Sequence, residues 1–104
     1  MSSFSHSCTQ LTGIMGARLG DAAALAALAA GAASAAGLTP YGPPVLHSGP
    51  KGTVVAVLCH GGHLILHVEP EAGRCLVDIV AATPNAASRG TDALARRLNA
   101  EGHH

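Results

Sequence analysis

Alternating apolar positions on either side of a Gly-Gly pair form the clearest pattern in the chain. Residues 53–60 and 63–69 are both rich in Val, Leu and Ile, and Gly61-Gly62 separates them. Two β-rich runs joined by Gly-Gly predict a two-residue hairpin, because glycine adopts the positive φ angles that such turns require. Pairing across this turn places residue 60 opposite 63, 58 opposite 65, 56 opposite 67 and 54 opposite 69.

The two faces of the predicted hairpin differ in chemistry. One face is almost wholly apolar and is expected to face the core. It carries Thr53, Val55, Val57, Cys59, Leu64, Leu66 and Val68. The other face mixes apolar and titratable residues, as a ligand pocket or a subunit interface does. It carries Val54, Ala56, Leu58, His60, His63, Ile65, His67 and Glu69.

An alanine-rich run upstream of the hairpin predicts a helix over residues 21–36. Asp21 stands at the N-cap position, and Gly37 followed by Pro40 ends the helix. One face of this helix carries Leu25, Leu28, Ala29 and Ala32. The run has no charge, but it is shorter than a membrane span and is interrupted by glycine and serine. The start of the chain lacks the Lys or Arg of a secretory signal. We therefore expect a cytoplasmic protein with no membrane contact.

A third strand is predicted from Cys75 to Ala81, and it places Asp78 among apolar neighbours. A buried aspartate must be hydrogen-bonded or paired with a cation, because its desolvation is otherwise costly. Asp78 is therefore expected to be either a structural anchor or a site residue.

The chain length of 104 residues predicts one domain over residues 1–100. Residues 101–104 resemble the start of a polyhistidine tag and are set aside. Six Lys and Arg balance six Asp and Glu, so the chain lacks the basic excess that binds nucleic acid or anionic membranes. A neutral surface also favours self-association. The three cysteines have no CxxC spacing and are interpreted as buried small hydrophobes.

The histidines near the turn do not predict a metal site. His63 and His67 would stand ~13 Å apart on a strand, too far to share one zinc ion. Only His60 and His63, paired across the turn, could share a metal, and they would need further ligands. The same histidines with Glu69 could act as acid or base groups of an enzyme, but the sequence supplies no activated nucleophile.

Residues 63–78 read His-Leu-Ile-Leu-His-Val-Glu-Pro-Glu-Ala-Gly-Arg-Cys-Leu-Val-Asp. This segment resembles the prokaryotic S-adenosylmethionine decarboxylase family, whose hallmark is Glu-Ser-His-(x)3-His-Thr-Trp-Pro-Glu, followed by a glycine and a strand ending Asp-x-Phe-Thr-Cys. The positions that match this hallmark without a gap are His63, His67, Pro70, Glu71, Gly73, Val77 and Asp78. Weaker matches extend the resemblance to about residues 6–98. They are Thr9 to Gly13 on the family's first strand, Leu19 to Asp21 with the alanine-rich helix, His47, and Pro50-Lys51-Gly52.

The resemblance implies an α+β fold, a two-layer α/β sandwich with an antiparallel sheet and helices on one face, and protomers that pair. In the family, the proenzyme cleaves itself at the Glu-Ser bond. The serine becomes a pyruvoyl group, which forms a Schiff base with the substrate amine and accepts electrons during decarboxylation. The family histidine that matches His67 assists cleavage, and a cysteine at the end of the third strand donates a proton.

This chain departs from the family at the positions that carry the chemistry. Gly61-Gly62 replaces Glu-Ser, and Ala82 replaces the cysteine. Without a hydroxyl at residue 62 no pyruvoyl group can arise there, so no cofactor is predicted. The aromatic positions of the hallmark are also lost. Residues 91–99 are expected to form the second helix, and the strand that follows it in the family is expected to be missing.

The sequence therefore predicts an S-adenosylmethionine decarboxylase-like protein of the polyamine and spermidine biosynthesis family that neither processes itself nor catalyses. No catalytic residue is expected, and Gly61, Gly62, His67 and Ala82 are vestigial positions. The expected ligand-binding residues are His63, Glu71 and Asp78. The expected partner is a second copy in a homodimer, or an active paralogue for which this chain is a non-catalytic subunit. The alternative is a binding or sensing module for S-adenosylmethionine or a related amine.

Overall fold

A computed structural model describes residues 4–103 of the chain. These residues form strands and helices in the order β1 Ser5–Thr12, α1 Ala22–Ala35, β2 Thr39–Pro40, β3 Val45–Gly49, β4 Gly52–His60, β5 Gly62–Glu69, β6 Arg74–Ala81, α2 Pro84–Leu98 and β7 Gly102–His103. Short 3-10 turns lie at Gly16–Leu19 and Pro70–Ala72. The strands make one antiparallel sheet with both helices on one face, which confirms the predicted α+β sandwich.

The sheet is centred on the hairpin of β4 and β5. On the far side of β4, its first half pairs with β3 and its last residues pair with β2. On the far side of β5 the order continues through β6, β1 and β7. The resemblance placed residues 9–13 on the first strand, and β1 begins earlier, at Ser5, with Ser5 to Leu11 paired with β6.

The core lies between the helices and the predicted apolar face of the hairpin. Every residue predicted on that face is buried except Thr53, which is half-buried. Leu11 of β1 and alternate residues of β6 complete the sheet side of the core. This burial confirms which hairpin face points inward.

The pairing register of the hairpin differs from the prediction by two residues. Cys59 is paired with Gly62 and Ala56 with Ile65, so the turn residues are His60 and Gly61. Gly61 takes the positive φ of +82°, whereas Gly62 belongs to β5. Because side chains alternate with a period of two, a slip of two residues leaves every side chain on its predicted face.

Helix α1 begins and ends within one residue of the prediction. The Asp21 carboxylate accepts hydrogen bonds from the amides of Ala23 and Ala24, at 3.0 and 3.2 Å. Gly37, at φ +74°, ends the helix. Leu25, Ala29 and Ala32 are buried, while Leu28 is half-buried. Within residues 4–103, no helix is long and apolar enough to cross a membrane.

Helix α2 begins at Pro84, so the predicted span of 91–99 captured only its second half. The Thr83 hydroxyl accepts a hydrogen bond from the Ala86 amide at 3.1 Å and caps the helix, and Pro84 occupies the first turn. This Thr-Pro pair is the start signal that the prediction missed, since proline fits the first helical position. Asn99, in the left-handed conformation at φ +55°, ends the helix.

A short final strand follows α2, contrary to the expectation that this strand is missing. After Asn99 the chain turns back, and the Glu101 amide donates a hydrogen bond to the Thr12 carbonyl at 2.9 Å. Gly102 and His103 then pair with Thr12 and Leu11 of β1. Gly102 and His103 resemble the start of a tag in sequence, but in the structure they pair at the edge of the sheet.

Candidate functional site

The sheet face opposite the helices carries five histidines together with Glu69, Arg74, Asp78 and Cys8, and we call it the open face. Its residues follow from strand register, since side chains of paired residues share a face. They are His6, Cys8, Gln10, Val45, His47, Val54, Ala56, Leu58, His60, His63, Ile65, His67, Glu69, Arg74, Leu76, Asp78 and Val80. The mixed hairpin face predicted from the sequence lies within the open face.

Asp78 joins two histidines from neighbouring strands. The His6 imidazole donates from Nε2 to one carboxylate oxygen of Asp78, and the His63 imidazole donates to the other at 3.3 Å. The Asp78 side chain is 25% exposed, and that of His63 34%. The prediction that Asp78 is hydrogen-bonded or paired is confirmed. His6 was missed, because nothing in the sequence gives the register of β1 against β6.

The hydrogen bonds keep Asp78 ionised. Partial burial favours the neutral carboxyl and by itself raises the pKa of Asp78. The hydrogen bonds from His6 and His63, with the attraction of these imidazoles in their protonated form, outweigh the burial and hold the pKa of Asp78 below its ordinary 3.8. Asp78 therefore carries a negative charge at neutral pH and acts as a hydrogen-bond acceptor for both rings.

A second polar region lies at the other end of the open face, around the turn between β3 and β4. His47 and His67 flank Val54 on the two neighbouring strands. Together with Lys51 and Glu69 they line a cavity of about 490 Å³. Arg74 binds both carboxylate oxygens of Glu69, at 2.8 and 3.0 Å. The hydrogen bonds from Arg74 hold the pKa of Glu69 below its usual range, against a smaller effect of desolvation.

Glu71, the third predicted ligand-binding residue, lies apart from His63 and Asp78. It is exposed in the 3-10 turn that follows β5. There it lines a cavity of about 520 Å³ beneath the β3–β4 turn, next to Leu19 and Lys51. The structure therefore brings together two of the three predicted ligand residues and not the third.

The vestigial positions do not form one site within this chain. A Cβ at residue 62 would point to the helical side, where it would overlap the Val80 carbonyl oxygen and approach Leu38 Cδ2 to 3.1 Å. His67 lies on the open face, ~16 Å further along β5. Ala82 is exposed just beyond β6. A pyruvoyl group derived from residue 62 does not fit these residues, since position 62 has neither a hydroxyl nor space for a side chain.

His60 and His63, the two residues that could have shared a metal ion, are not paired across the turn. His63 is paired with Leu58 instead, and the His60 ring packs against Tyr41 with ring centroids 3.9 Å apart. Across residues 4–103, no group of three or more His, Cys, Asp or Glu is arranged to hold a metal ion.

Two of the three cysteines are buried, as the sequence analysis expected, and Cys8 is exposed on the open face. Burial raises the pKa of Cys59, and raises that of Cys75 to about 12. Both buried thiols are therefore protonated and unreactive. Cys8 departs from the expectation because it occupies the outward position of β1, opposite Asp78.

Comparison with known proteins assigns the family. A crystal structure of the adenosylmethionine decarboxylase from Aquifex aeolicus VF5 has the same fold, with a TM-score of 0.85 and 23% identity over 99% of this chain and 86% of that chain. No curated protein sequence matches the chain. The family model for S-adenosylmethionine decarboxylase matches residues 5–104. The chain therefore belongs to the S-adenosylmethionine decarboxylase family.

Proposed function

We propose that this protein is a catalytically silent member of its family and acts as a subunit that pairs with another chain of the same fold. The observation that carries the proposal is the environment of Gly62. The residue that would become the pyruvoyl group is a glycine, and its backbone lies so close to the Val80 carbonyl that a side chain is excluded. By family membership, the proposed setting is cytoplasmic polyamine and spermidine biosynthesis.

The neighbouring groups do not replace the missing chemistry. Cys59 is paired opposite Gly62, but its thiol is buried and lies 3.6 Å from the Val57 carbonyl oxygen. Burial raises the pKa of this thiol, which keeps it protonated and suppresses its nucleophilicity. Ala82 offers no proton at the position of the family cysteine. We infer that neither self-processing nor pyruvoyl-dependent turnover takes place.

The mass of the denatured protein tests this proposal. A silent chain gives a single species at the full-length 10.3 kDa and does not react with a carbonyl-specific hydrazide. An active member of the family, processed under the same conditions, provides the positive control. Two fragments that meet near Gly61, or a hydrazide adduct on one of them, would overturn the proposal.

The open face supports the pairing part of the proposal, with a second copy of this chain as the occupant. Its apolar residues are Val45, Val54, Ala56, Leu58, Ile65, Leu76 and Val80. Leu58 and Val45 are 53% and 60% exposed, and no helix covers them. Five central strands about seven residues long present roughly 600 Å² in projection, close to the ~800 Å² per partner of a stable interface. The chain has no net charge, so two copies do not repel strongly.

Sedimentation velocity of the purified chain tests this pairing. A dimer at micromolar concentration supports a homodimer through the open face. If the chain is a monomer alone but forms a heterodimer with an active family member, that relative and not a second copy is the partner. A monomer under both conditions would overturn the subunit role.

The cavity bounded by His47, Lys51, His67 and Glu69 favours a second candidate, a binding module for S-adenosylmethionine or a related amine. Its volume of about 490 Å³ is within the range of small-molecule sites. Calorimetric titration with S-adenosylmethionine separates the two functions. Saturable heat that is lost in His67→Gln supports the binding module, and the absence of heat supports the subunit role.

A further inference from the structure

All five histidines between residues 4 and 102 lie on the open face, and neither helix contains one. They are His6, His47, His60, His63 and His67. Imidazole is the side chain whose ordinary titration falls between pH 5 and 8. Among the residues that the structure describes, the open face is therefore the surface whose charge changes most between pH 5 and 8.

The other charges on and beside this face nearly balance one another. Strands β5 and β6 contribute Glu69, Asp78 and Arg74, and Lys51 and Glu71 line the adjoining cavity at the β3–β4 turn. Three carboxylates thus accompany two cations, and Glu69 is already bound by Arg74. The remaining titratable group on the face is the Cys8 thiol of β1.

The five histidines are not equivalent in this respect. His6 and His63 share the Asp78 carboxylate, so the first proton taken up by this pair neutralises an existing negative charge. His47 and His67 line a cavity with Lys51, a permanent cation, and the one carboxylate there is engaged by Arg74. Protons on His47 and His67 therefore add positive charge to a cavity whose own carboxylate is already engaged, and the nearest other carboxylate, Glu71, lies with Lys51 in the adjoining cavity. His60 sits at the far end of β4 against Tyr41.

We propose that pairing through the open face is controlled by protons, with the pair stable when the histidines are neutral and dissociating when His47 and His67 are protonated. This inference rests on the proposed homodimer. In a pair, protonation of these two residues adds four positive charges to one interface. Proton uptake then favours the separated chains, so the association constant falls as the pH falls. Protonation of His47 and His67 would thus separate the two chains in a mildly acidic medium without unfolding them.

The test is sedimentation equilibrium at about pH 8 and about pH 5.5, with circular dichroism at both values to verify the fold. We expect the dissociation constant of the pair to rise at least about tenfold at the lower pH, and added salt to reverse part of this rise by screening the charges. The double variant His47→Gln/His67→Gln is expected to keep the pair at both values. Arg96→Gln, on the exposed side of α2, is the matched control and is expected to dissociate like the wild type.

The possible results separate this inference from the proposed function. A pair of equal strength at both pH values, or a double variant that dissociates as the wild type does, overturns proton control and leaves the homodimer intact. A chain that is monomeric at both values overturns the homodimer and the inference with it. A pH effect that salt does not change also contradicts the inference, because charge repulsion at an exposed interface is screened by salt.

Discussion

Gly62 packs against the carbonyl oxygen of Val80 on the neighbouring strand, and this contact leaves no space for a Cβ at residue 62. Two properties of the protein follow from it. The turn of the β4–β5 hairpin is displaced towards His60, because Gly62 belongs to β5 and pairs with Cys59 of β4. Residue 62, where the family has the processing serine, therefore lacks a hydroxyl, and the neighbouring backbone leaves no room for a side chain.

We predict that Gly62→Ala destabilises the fold by about 2 kcal/mol or more, since an overpacked strand must shift away from its neighbour. For a domain of this size, such a loss lowers Tm by about 10 °C. Gly62→Ser is expected to be destabilised similarly and to remain a single unprocessed chain. Thermal unfolding and intact mass measure the two effects.

Gly31→Ala is the matched control for this substitution. Gly31 lies within α1, and a Cβ there would meet no atom within 4 Å. Alanine is favoured over glycine inside a helix by up to ~1 kcal/mol, so this variant should be at least as stable as the wild type. Equal stability of Gly62→Ala and Gly31→Ala would contradict the steric account of residue 62.

Asp78→Asn is expected to lower the free energy of unfolding by about 1–2 kcal/mol near neutral pH, because hydrogen bonds to a charged acceptor are replaced by weaker ones. The pKa of Asp78 is lowered in the folded chain, so its contribution is complete above the ordinary 3.8. The contribution is lost as the pH falls below 3.8 through the folded value. Urea unfolding of both proteins along a pH series should therefore show curves that converge in acid.

The same series has two informative failures. A difference between wild type and Asp78→Asn that stays constant into acid would mean that the carboxylate charge does not stabilise the fold. If the two proteins have the same free energy of unfolding at neutral pH, the hydrogen bonds of Asp78 with His6 and His63 are no stronger than its hydrogen bonds with water. His6→Gln, which keeps a donor but removes the imidazole, serves as the comparison for the exposed partner.

The hairpin illustrates what the sequence could and could not predict. Alternation of apolar residues assigned every hairpin side chain to the correct face, because faces depend only on whether a position is odd or even. The register depends on contacts between β5 and β6, above all on the fit of Gly62 against Val80, eighteen residues away in the sequence. Gly61 and Gly62 look equivalent in the sequence, but Gly61 alone has the positive φ of the turn.

The candidate site was predictable to a similar degree. Asp78 among apolar neighbours required a partner, and His63 was already a candidate from the hairpin pattern. His6 could not be found, because it reaches Asp78 only through the pairing of β1 with β6, across 72 residues of sequence. The final strand was missed for the same physical reason. It is held by the bond from Glu101 to Thr12 and by pairing with β1, and its own residues carry no strand signal.

The cap of α1 gives a prediction independent of the site. Asp21→Ala removes the acceptor of the Ala23 and Ala24 amides and is expected to cost about 1 kcal/mol. Asp92→Ala is the control, because Asp92 is an exposed acid of α2, and substitutions at such positions stay within about 0.5 kcal/mol. Chemical denaturation of both variants makes the comparison. A loss of equal size in the two would show that net charge, and not the cap, is responsible.

Leu58→Arg tests the role of the open face directly. Leu58 is 53% exposed on that face, so its replacement should leave the fold of the isolated chain nearly unchanged. In a pair of chains the arginine would be buried in an apolar interface without a carboxylate partner, which is strongly unfavourable. We therefore expect Leu58→Arg to be monomeric at about pH 8, where the proposed homodimer is expected to form. Met15→Arg is the matched control, because Met15 is 71% exposed but lies outside the open face, next to the first 3-10 turn. Sedimentation velocity of the two variants separates the outcomes. A Leu58→Arg chain that still pairs as the wild type does would move the interface to another surface and remove the physical basis for proton control by His47 and His67.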